Sequence, residues 1–255
     1  MAYTTINKSK DHFDGKIYLG SSSAVTVTGL EFQPDLVWVK DRDNGNNHCW
    51  VDAVRGVGKY IQSDNTSAEV NNSSQSISAF TSDGFTTGTA NPANESASTT
   101  KGFMSWNWKA NGAGSSNSDA TGSYPITSTV SANTTAGFSI VKYTGNGYST
   151  ATIGHGLGVK PAMVIMRPLG YSGAWWIAHK DLSTDNVLEF NTNTQAAISG
   201  FGGGGLKYST FTTSVIGGGN GSSNSDLWNK SGEDYIAYCF AEKQGYSKFG
   251  SYKGN

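Results

Sequence analysis

A histidine between two glycines is the first candidate for chemistry in the sequence. The stretch Gly154-His155-Gly156 would place an imidazole in a loop, where it could bind a metal ion or transfer a proton. No second His, Cys or carboxylate stands at the spacing of a metal site, and the aligned residue in the first half of the chain is Thr28. We therefore predict a structural role for His155, and we predict no metal site and no cofactor.

The acidic turn that begins at residue 41 resembles a calcium loop in part. Asp41, Asp43 and Asn46 lie in the stretch DRDNGNN. The fifth position of an EF-hand loop carries a ligand, but here that position is Gly45. Because Asn-Gly is a strong hairpin signal, the sequence favours an Asx-rich hairpin turn over a calcium site.

Patterns for acid–base, nucleophilic or phosphate chemistry are incomplete. Two carboxylate pairs are candidates for glycoside cleavage, namely Asp181 with Asp185 and Glu233 with Asp234. Nothing in the sequence brings either pair to the separation of about 5–10 Å that this reaction needs, so we interpret them as solvated loop charges. No GxSxG motif occurs, and the stretches GNG, GHGLG and GGGG open no helix that could bind phosphate. The sequence therefore predicts that the protein is not an enzyme.

Three aromatic residues in the second half form the candidate contact site. Trp175 and Trp176 are adjacent in a predicted strand, so their side chains point to opposite faces. Alignment with Cys49-Trp50 makes Trp176 the shared core residue and Trp175 the additional one, which we expect to face solvent, a partner or a ligand. Trp175, Tyr171 and Tyr148 are thus predicted to contact a sugar ring or a partner subunit, with loop packing as the alternative for Trp175.

These residues are carried by a β unit that the chain contains twice. The stretch 13–40 recurs imperfectly at 137–167. Pairs at a nearly constant offset are Phe13 and Phe138, Gly20 and Gly145, and Pro34 and Pro161. The composition is that of a turn-rich β protein, with 33 Gly, 12 Tyr, 11 Phe and 7 Trp. We predict an all-β fold of two homologous antiparallel β-sandwich units in tandem, for which a jelly-roll-like topology is one option.

The boundaries of these units follow the composition along the chain. Residues 111–123 lack an apolar anchor and form the predicted linker between a first unit at 13–110 and a second unit at 124–245. Residues 1–12 are mixed polar and charged, and we interpret them as an N-terminal arm. Residues 246–255 resemble the start of a further repeat and are predicted to form a C-terminal strand that completes the preceding sheet, with a repeat trimmed from a longer array as the alternative.

Charge and hydropathy exclude several classes of partner. Only 15% of the residues are charged and the net charge is -1, so we predict no binding to nucleic acid or to an anionic membrane surface. The N-terminus lacks the apolar region of a signal peptide, and no run reaches the roughly 18 apolar residues of a membrane span. We therefore expect a soluble protein made in a cytoplasm, without membrane insertion.

The two cysteines, Cys49 and Cys239, carry no metal-site or redox motif. Buried free thiols are the favoured interpretation, because a cytoplasm is reducing. A disulfide between the two residues is the alternative.

Several stretches of the sequence also resemble a known protein family. They are MAYTTINKS, FQPDLVWVKDR, DAVRGVGKYIQS, SDGFTTG, WNWKANGAGSSNSD, TTAGFSIVKYTGNG, IGHGLGVKPAMVIM and YIAYCFAEKQGYSKFGSYKGN. Together they cover nearly the whole chain and look like a repeat family of virion proteins in tailed bacteriophages, especially marine phages, labelled tail or tail-fibre proteins. The family pattern includes no established catalytic residue and no defined ligand.

The resemblance implies a non-enzymatic structural protein of the virion, assembled in the host bacterial cytoplasm. A tail-fibre or tail-adhesin component that contributes to host-surface attachment is the first expectation. A capsid-surface decoration protein of the cement or head-fibre kind is the alternative, and a polysaccharide depolymerase is the distant third. The implied partners are other tail or capsid proteins, copies of the same chain in a homo-oligomer such as a trimer, and a host surface glycan.

Overall fold

The chain folds into two β units. The computed structural model describes residues 4–95, 101–182, 186–191, 195–197, 205–219 and 227–254. The first unit is Lys8–Gly114, and the second unit is Ser115–Asn255 together with Met1–Asn7. Each unit combines a large sheet with a three-stranded sheet around its own buried core. The predicted all-β fold of two tandem antiparallel β-sandwich units is confirmed.

The first unit contains strands β1 to β9, formed where apolar and polar residues alternate between Gly-, Asn- and Asp-rich turns. The strands are β1 (Phe13–Leu19), β2 (Thr26–Val27), β3 (Leu36–Asp41), β4 (Cys49–Asp52), β5 (Lys59–Gln62), β6 (Val70–Asn71), β7 (Ile77–Thr81), β8 (Gly84–Thr87) and β9 (Gly102–Trp108). The large sheet has the antiparallel order β1-β9-β3-β4-β5-β6, and the small sheet has the order β2-β8-β7.

The core of the first unit consists of side chains from both of its sheets. Its buried residues are Tyr18, Val27, Val37, Val39, Cys49, Val51, Tyr60, Ile77, Phe85, Ala93 and Phe103. The ring of Tyr18 stacks on Phe103 at a centroid distance of 5.3 Å, and its hydroxyl donates to the Ala93 carbonyl at 2.7 Å. The two sheets are therefore held together by apolar burial, with the buried hydroxyl satisfied.

The second unit contains strands β10 to β20. They are β10 (Ser115–Asn117), β11 (Pro125–Ile126), β12 (Ser128–Asn133), β13 (Phe138–Thr144), β14 (Thr152–Gly154), β15 (Met163–Pro168), β16 (Trp176–His179), β17 (Asn186–Glu189), β18 (Gln195–Ala197), β19 (Val215–Gly217) and β20 (Asp234–Phe240). The large sheet has the antiparallel order β10-β12-β13-β20-β15-β16-β17-β18. In the small sheet, β14 lies between β11, which is parallel to it, and β19, which is antiparallel.

The two large sheets share strands in the same order. The order β1-β9-β3-β4-β5-β6 of the first unit matches β13-β20-β15-β16-β17-β18 of the second. The register also agrees, since Phe13 lies opposite Trp108 and Phe138 lies opposite Phe240. The ring centroids of these pairs are 4.9 and 5.0 Å apart. The duplicated sequence is therefore a duplicated sheet topology.

The second unit differs by additional strands at one edge of its large sheet. β12 pairs with β13, and β10 pairs with β12. Residues 115–117 of the predicted linker thus form an edge strand. In the described residues of the first unit, no strand occupies the corresponding edge of β1.

Both ends of the chain differ from the expectation. The predicted arm is divided, since residues 4–7 group with the second unit and Lys8 begins the first. Residues 246–254 do not form the predicted C-terminal strand, and the pairing described for them is one bridge between Lys243 and Ser247. The physical reason is that β20 already has β13 and β15 as neighbours, so the chain that leaves it finds no free edge beside it.

Helical structure in the described part of the chain is limited to short 3-10 turns. The turns described in full are Ser9–Asp11 and Tyr208–Thr210. None of the described helical segments has the length and apolar composition that crossing a membrane requires.

Cys49 and Cys239 are free and fully buried, each in the core of its own unit. Burial raises the pKa of each thiol to about 12, because a thiolate would be poorly solvated there. The favoured interpretation of two buried free thiols is confirmed.

A buried ion pair fixes the chain that follows β4. The Arg55 guanidinium lies 2.5 Å from an Asp52 carboxylate oxygen and 3.0 Å from a Glu69 carboxylate oxygen. It also donates to the Trp50 carbonyl at 2.9 Å. The side chains of Arg55 and Asp52 are almost completely buried, so the loss of one charge would leave the other without its partner in a poorly polarisable environment.

Replacing Arg55 by Met should lower the free energy of unfolding of the first unit by about 3–5 kcal/mol, because Asp52 would stay buried without its cation. Hydrogen–deuterium exchange of the full chain would show this as faster exchange in peptides from β3, β4 and β5. Arg42→Met is the matched control, since the Arg42 side chain is exposed, and it should change the free energy by less than about 0.5 kcal/mol. Equal exchange in the two variants would contradict the stabilising role of the pair.

Candidate functional site

Two tyrosines stack face to face on the surface of the second unit. Tyr124 precedes β11, and Tyr148 lies in the loop between β13 and β14. Their ring centroids are 3.7 Å apart, with 9° between the ring planes. Tyr124 is 38% exposed and Tyr148 is 49% exposed. Each ring therefore keeps a large solvent-accessible part, and we call the two residues the tyrosine pair.

Parallel pairing of β11 with β14 brings the two tyrosines together. Pro125 lies opposite Thr152, and the Tyr124 carbonyl accepts the Thr152 amide at 3.3 Å. The Tyr148 carbonyl accepts the Ala151 amide at 3.1 Å, which closes the turn before β14. Both tyrosines are thus attached by backbone hydrogen bonds to the start of the same strand.

A buried asparagine fixes the loop that carries Tyr148. The Asn229 side chain accepts the Asn146 amide at 2.9 Å and donates to Asn146 Oδ1 at 2.8 Å and to the Tyr148 carbonyl at 2.7 Å. The Asn229 carbonyl accepts the Gly147 amide at 2.9 Å. Because Asn229 is fully buried, these bonds are shielded from water and hold the loop in one conformation.

The same loop requires a glycine at residue 145. A Cβ atom at Gly145 would lie 2.2 Å from the Lys230 carbonyl oxygen, which is closer than two such atoms can approach. The Gly145 amide donates to the Glu233 carbonyl, and the Gly145 carbonyl accepts the Gly232 amide. The Tyr148 loop therefore packs directly on the turn at 229–233.

Tyr171 contacts this turn as well. Its hydroxyl is 2.9 Å from the Tyr235 hydroxyl, and Lys230 Nζ lies 4.8 Å from its ring centroid. The Lys230 amide donates to the Tyr235 hydroxyl at 3.0 Å. Tyr171 is half-buried, and Lys230 covers one face of its ring. Tyr171 therefore supports the turn and is not part of the tyrosine pair.

Trp175 is fully buried, so its expected exposure is wrong. Phe190 makes an edge contact with its ring at a centroid distance of 6.0 Å, and the Arg167 guanidinium lies 5.0 Å from the ring centroid. Its amide donates to Asn191 Oδ1 at 2.9 Å. Trp175 and Trp176 point to opposite faces of the sheet, as expected. Other side chains cover the face of Trp175 as well, so pointing away from the core does not expose it. Trp175 instead packs within the chain, which was the alternative prediction for this residue.

The structure also corrects the alignment of the tryptophans between the units. Trp176 and Cys49 both belong to the cores of their units, opposite Met166 and Val39 respectively. Trp176 is the expected core residue, but it corresponds to Cys49 rather than to Trp50. A shift of one residue along a strand exchanges its two faces, so the sequence alignment paired Trp176 with a residue on the opposite face of the sheet.

His155 connects two loops inside the second unit. Its Nδ1 accepts the Leu157 amide at 3.2 Å, and its Nε2 donates to the Thr212 carbonyl at 3.3 Å. The imidazole is fully buried, and this burial lowers the pKa of His155 because the charged form would lose its hydration. The hydrogen bond to Thr212 offsets the effect only in part. These bonds give His155 the structural role expected from the sequence.

Asp41 organises the turn between β3 and β4. Its carboxylate accepts the amides of Asp43 and Asn44 at 2.9 and 3.0 Å and the side-chain amides of Asn44 and Asn46 at 3.0 and 2.6 Å. Burial opposes ionisation of Asp41, but these hydrogen bonds outweigh it and hold the pKa of the carboxyl below its usual value. The Asx-rich hairpin turn favoured by the sequence is confirmed.

The acidic residues considered as catalytic pairs make ordinary surface contacts. Glu233 and Asp234 each lie near a lysine ammonium, at 3.5 and 2.9 Å. Asp181 is exposed, and Asp185 lies outside the described residues. Within the ranges that the structure describes, no group of three or more His, Cys, Asp or Glu residues is placed to hold a metal ion.

Two members of the site, Tyr124 and Asn229, were not found by reasoning from the sequence. Tyr124 stands directly after the predicted linker, and an aromatic residue before the Pro that opens a strand was its only signal. Asn229 lies in the polar stretch WNKSGED, where no pattern separates a buried asparagine from a solvated one. Of the three predicted contact residues, Tyr148 is the one that the structure places in an exposed aromatic pair.

Residues 8–255 match the family DUF7483, which is described as a domain of unknown function. The chain belongs to this family. No curated protein matches the sequence. Among solved structures, the one titled "Crystal Structure of the STIV MCP" is similar at 11% sequence identity over 92% of this chain and 86% of that chain, with a TM-score of 0.25. A likeness at this level supports no inference about fold or function.

Removing the Asn229 side chain should loosen the tyrosine pair of this DUF7483 protein. Asn229→Ala leaves the Asn146 amide and the Tyr148 carbonyl without their buried partner, which should speed amide exchange in the 144–150 segment by about tenfold or more. Hydrogen–deuterium exchange of the full chain measures this rate. Ser231→Ala is the control, because Ser231 is an exposed residue beside the same loop. If Asn229→Ala exchanged no faster than Ser231→Ala, the loop would not depend on Asn229.

The burial of His155 predicts a pH dependence of stability in the DUF7483 fold. Its pKa is lower in the folded state than the value of about 6.5 expected after unfolding, so the unfolded chain takes up the proton first as the pH falls. The contribution of His155 to the free energy of unfolding is therefore full above about pH 6.5 and decreases as the pH falls below this value. Melting temperatures measured between about pH 8 and pH 5 should show the advantage of the wild type over His155→Gln shrinking with acidification. Parallel curves for the two proteins would rule out this linkage.

Proposed function

We propose that this protein is a non-enzymatic structural component of a tailed-phage virion, a tail-fibre or tail-adhesin subunit that contributes to host-surface attachment. The observation that carries the proposal is the solvent-exposed tyrosine pair on a fixed loop. The resemblance of the sequence motifs to virion repeats of tailed phages supplies the biological setting. The proposed location is accordingly the virion.

The tyrosine pair has the chemistry of a sugar-binding surface. The face of an aromatic ring carries negative charge density, which attracts the polarised C–H groups of a pyranose ring. The two hydroxyls can both donate and accept hydrogen bonds, as sugar hydroxyls also do. Because Asn229 and the pairing of β11 with β14 already fix the loop, little conformational entropy is lost when a ligand binds.

The pair lies where the two units differ. Residues 144–148 of the second unit read TGNGY, and the corresponding residues 19–23 of the first unit read LGSSS. Tyr124 precedes β11, a strand that belongs to the second unit alone among the described residues. A shared strand framework with differing loops supports recognition by the loops, of which the tyrosine pair occupies one.

A single aromatic contact of this size gives weak binding, so attachment would depend on many copies. We therefore propose that the chain is displayed in several copies together with other virion proteins, and that a host surface glycan is its ligand. With several weak sites, a particle held by one contact dissociates readily, whereas a particle held by many contacts stays attached.

The test is the binding of surface polysaccharide, extracted from a bacterium to which the phage adsorbs, to immobilised full-length protein. Tyr148→Ala and Tyr124→Ala should each weaken binding by about tenfold, which corresponds to about 1.4 kcal/mol. Tyr252→Ala is the matched control, because Tyr252 is 95% exposed and lies in the C-terminal segment outside the pair. It should bind like the wild type.

Other outcomes would redirect the proposal. Equal binding by Tyr148→Ala and Tyr252→Ala would remove the tyrosine pair as the ligand site. Absence of polysaccharide binding, with immunogold label on the head of the particle, would favour the capsid-decoration alternative. The appearance of new reducing ends in the polysaccharide would favour a depolymerase.

A further inference from the structure

Strand β1 leaves one edge of the large sheet of the first unit open. In the described residues it pairs with β9 alone. The Gly20 amide donates to the Lys101 carbonyl, and the Lys109 amide donates to the His12 carbonyl. Even-numbered residues of β1 therefore bond to β9, and odd-numbered residues direct their amides and carbonyls to the open edge.

Two apolar side chains stand at this open edge. Ile17 is 65% exposed and Leu19 is 59% exposed, and both are odd-numbered residues on one face of the sheet. Open edges are usually protected by lysines, prolines or bulges, because they pair readily with other strands. The protection here ends at Lys16, since Asp14 occupies the Gly15 amide at 2.9 Å and pairs with the Lys16 ammonium at 3.2 Å. No described residue bonds to the outward amides and carbonyls of Ile17 and Leu19, and the side chains of these two residues are apolar.

In the second unit, the corresponding edge is paired with another strand. β13 corresponds to β1, and its edge is covered by β12 in antiparallel register. The residues that correspond to Ile17 and Leu19 are Lys142 and Thr144, both polar. The covered edge strand thus carries polar residues and the open edge strand carries apolar ones. If the open edge faced only solvent, the opposite distribution would be expected.

We propose that β1 pairs with β1 of a second copy of this chain, antiparallel about a two-fold axis at Tyr18. In this register Ile17 of each copy lies opposite Leu19 of the other, so the exposed apolar side chains cover one another. The amides and carbonyls of Ile17 and Leu19 bond across the axis, and the large sheets of two copies become one continuous sheet. This surface is distinct from the tyrosine pair and does not depend on glycan binding.

The chemistry of the strand selects this partner and this register. One apolar residue lies on each side of Tyr18, so the strand is complementary to a second copy of itself, as an isologous interface requires. An axis at Lys16 would bring two ammonium groups together, and an axis at Gly15 would require the amide that Asp14 already occupies. Pairing about Tyr18 avoids both conflicts and consumes the edge, so no further copies are added.

The first test is the mass in solution. Sedimentation equilibrium of the full chain should give twice the 26.9 kDa chain mass at high concentration. Ile17→Lys combined with Leu19→Thr should give the single-chain mass, and it introduces the residues that the second unit carries in the same strand positions. Val57→Lys, at an exposed apolar residue in a turn of the same unit, should remain dimeric. Unchanged circular dichroism would show that the double variant is folded.

The second test reads the register. Opposed residues in a hydrogen-bonded antiparallel pair have Cα atoms about 5.5 Å apart, within disulfide range, whereas diagonal neighbours lie about 7–8 Å apart. Ile17→Cys combined with Leu19→Cys should form a covalent dimer under mild oxidation, and each single cysteine variant should do so at least tenfold more slowly. The native Cys49 and Cys239 are buried and give no background.

A monomeric wild type, or an oligomer whose mass the Ile17→Lys and Leu19→Thr changes leave unaltered, would overturn the proposal. Equal cross-linking by the single and double cysteine variants would overturn the register and with it the two-fold pairing at Tyr18.

Discussion

The insertion of a late strand into the middle of the large sheet is the constraint on which each unit depends. β9 pairs with both β1 and β3, and β20 pairs with both β13 and β15. These strands are far from their partners in sequence, so a long loop must close before the sheet is continuous. The closure is stabilised by burial, since Ile236 and Tyr238 of β20 have no exposed surface. The outer strands and the small sheets attach to this central arrangement.

The two units keep the same strand framework and differ in the polar groups that hold their loops. In the first unit, Asp41 organises the turn after β3, and Arg55 is bound to Asp52 after β4. In the second unit, Asn229 holds the loop of Tyr148 and His155 joins two loops. Buried polar groups require particular partners, whereas apolar strand residues accept many neighbours of similar size. The strand framework can therefore be conserved within one chain while each loop acquires its own set of hydrogen bonds.

The sequence predicted the features that depend on local pattern. The duplicated stretches at 13–40 and 137–167 indicated the two units, and Asn-Gly at 44–45 indicated the hairpin between β3 and β4. Features that depend on pairing between distant strands were not predictable. The exposure of Trp175 was predicted wrongly because its face of the sheet is covered by Phe190 and Arg167, which other parts of the second unit bring against its ring.

The tyrosine pair belongs to the same class of unpredictable features. Tyr148 was among the predicted contact residues, but its stacking partner Tyr124 reaches it through the parallel pairing of β11 with β14. Asn229 lies far along the chain from the loop that it fixes. Neither contact has a local signature, since both arise only when the second unit is complete.

The central position of β9 and β20 also determines the order in which the protein acquires structure during synthesis. A nascent chain has the whole sheet of the first unit once Trp108 has left the ribosome, so this unit can fold while the second is still being translated. The second unit must wait for Phe240, and until then β13 and β15 expose edges that β20 will later separate. A ribosome that stops before residue 234 would therefore release one finished unit joined to an unpaired, aggregation-prone one.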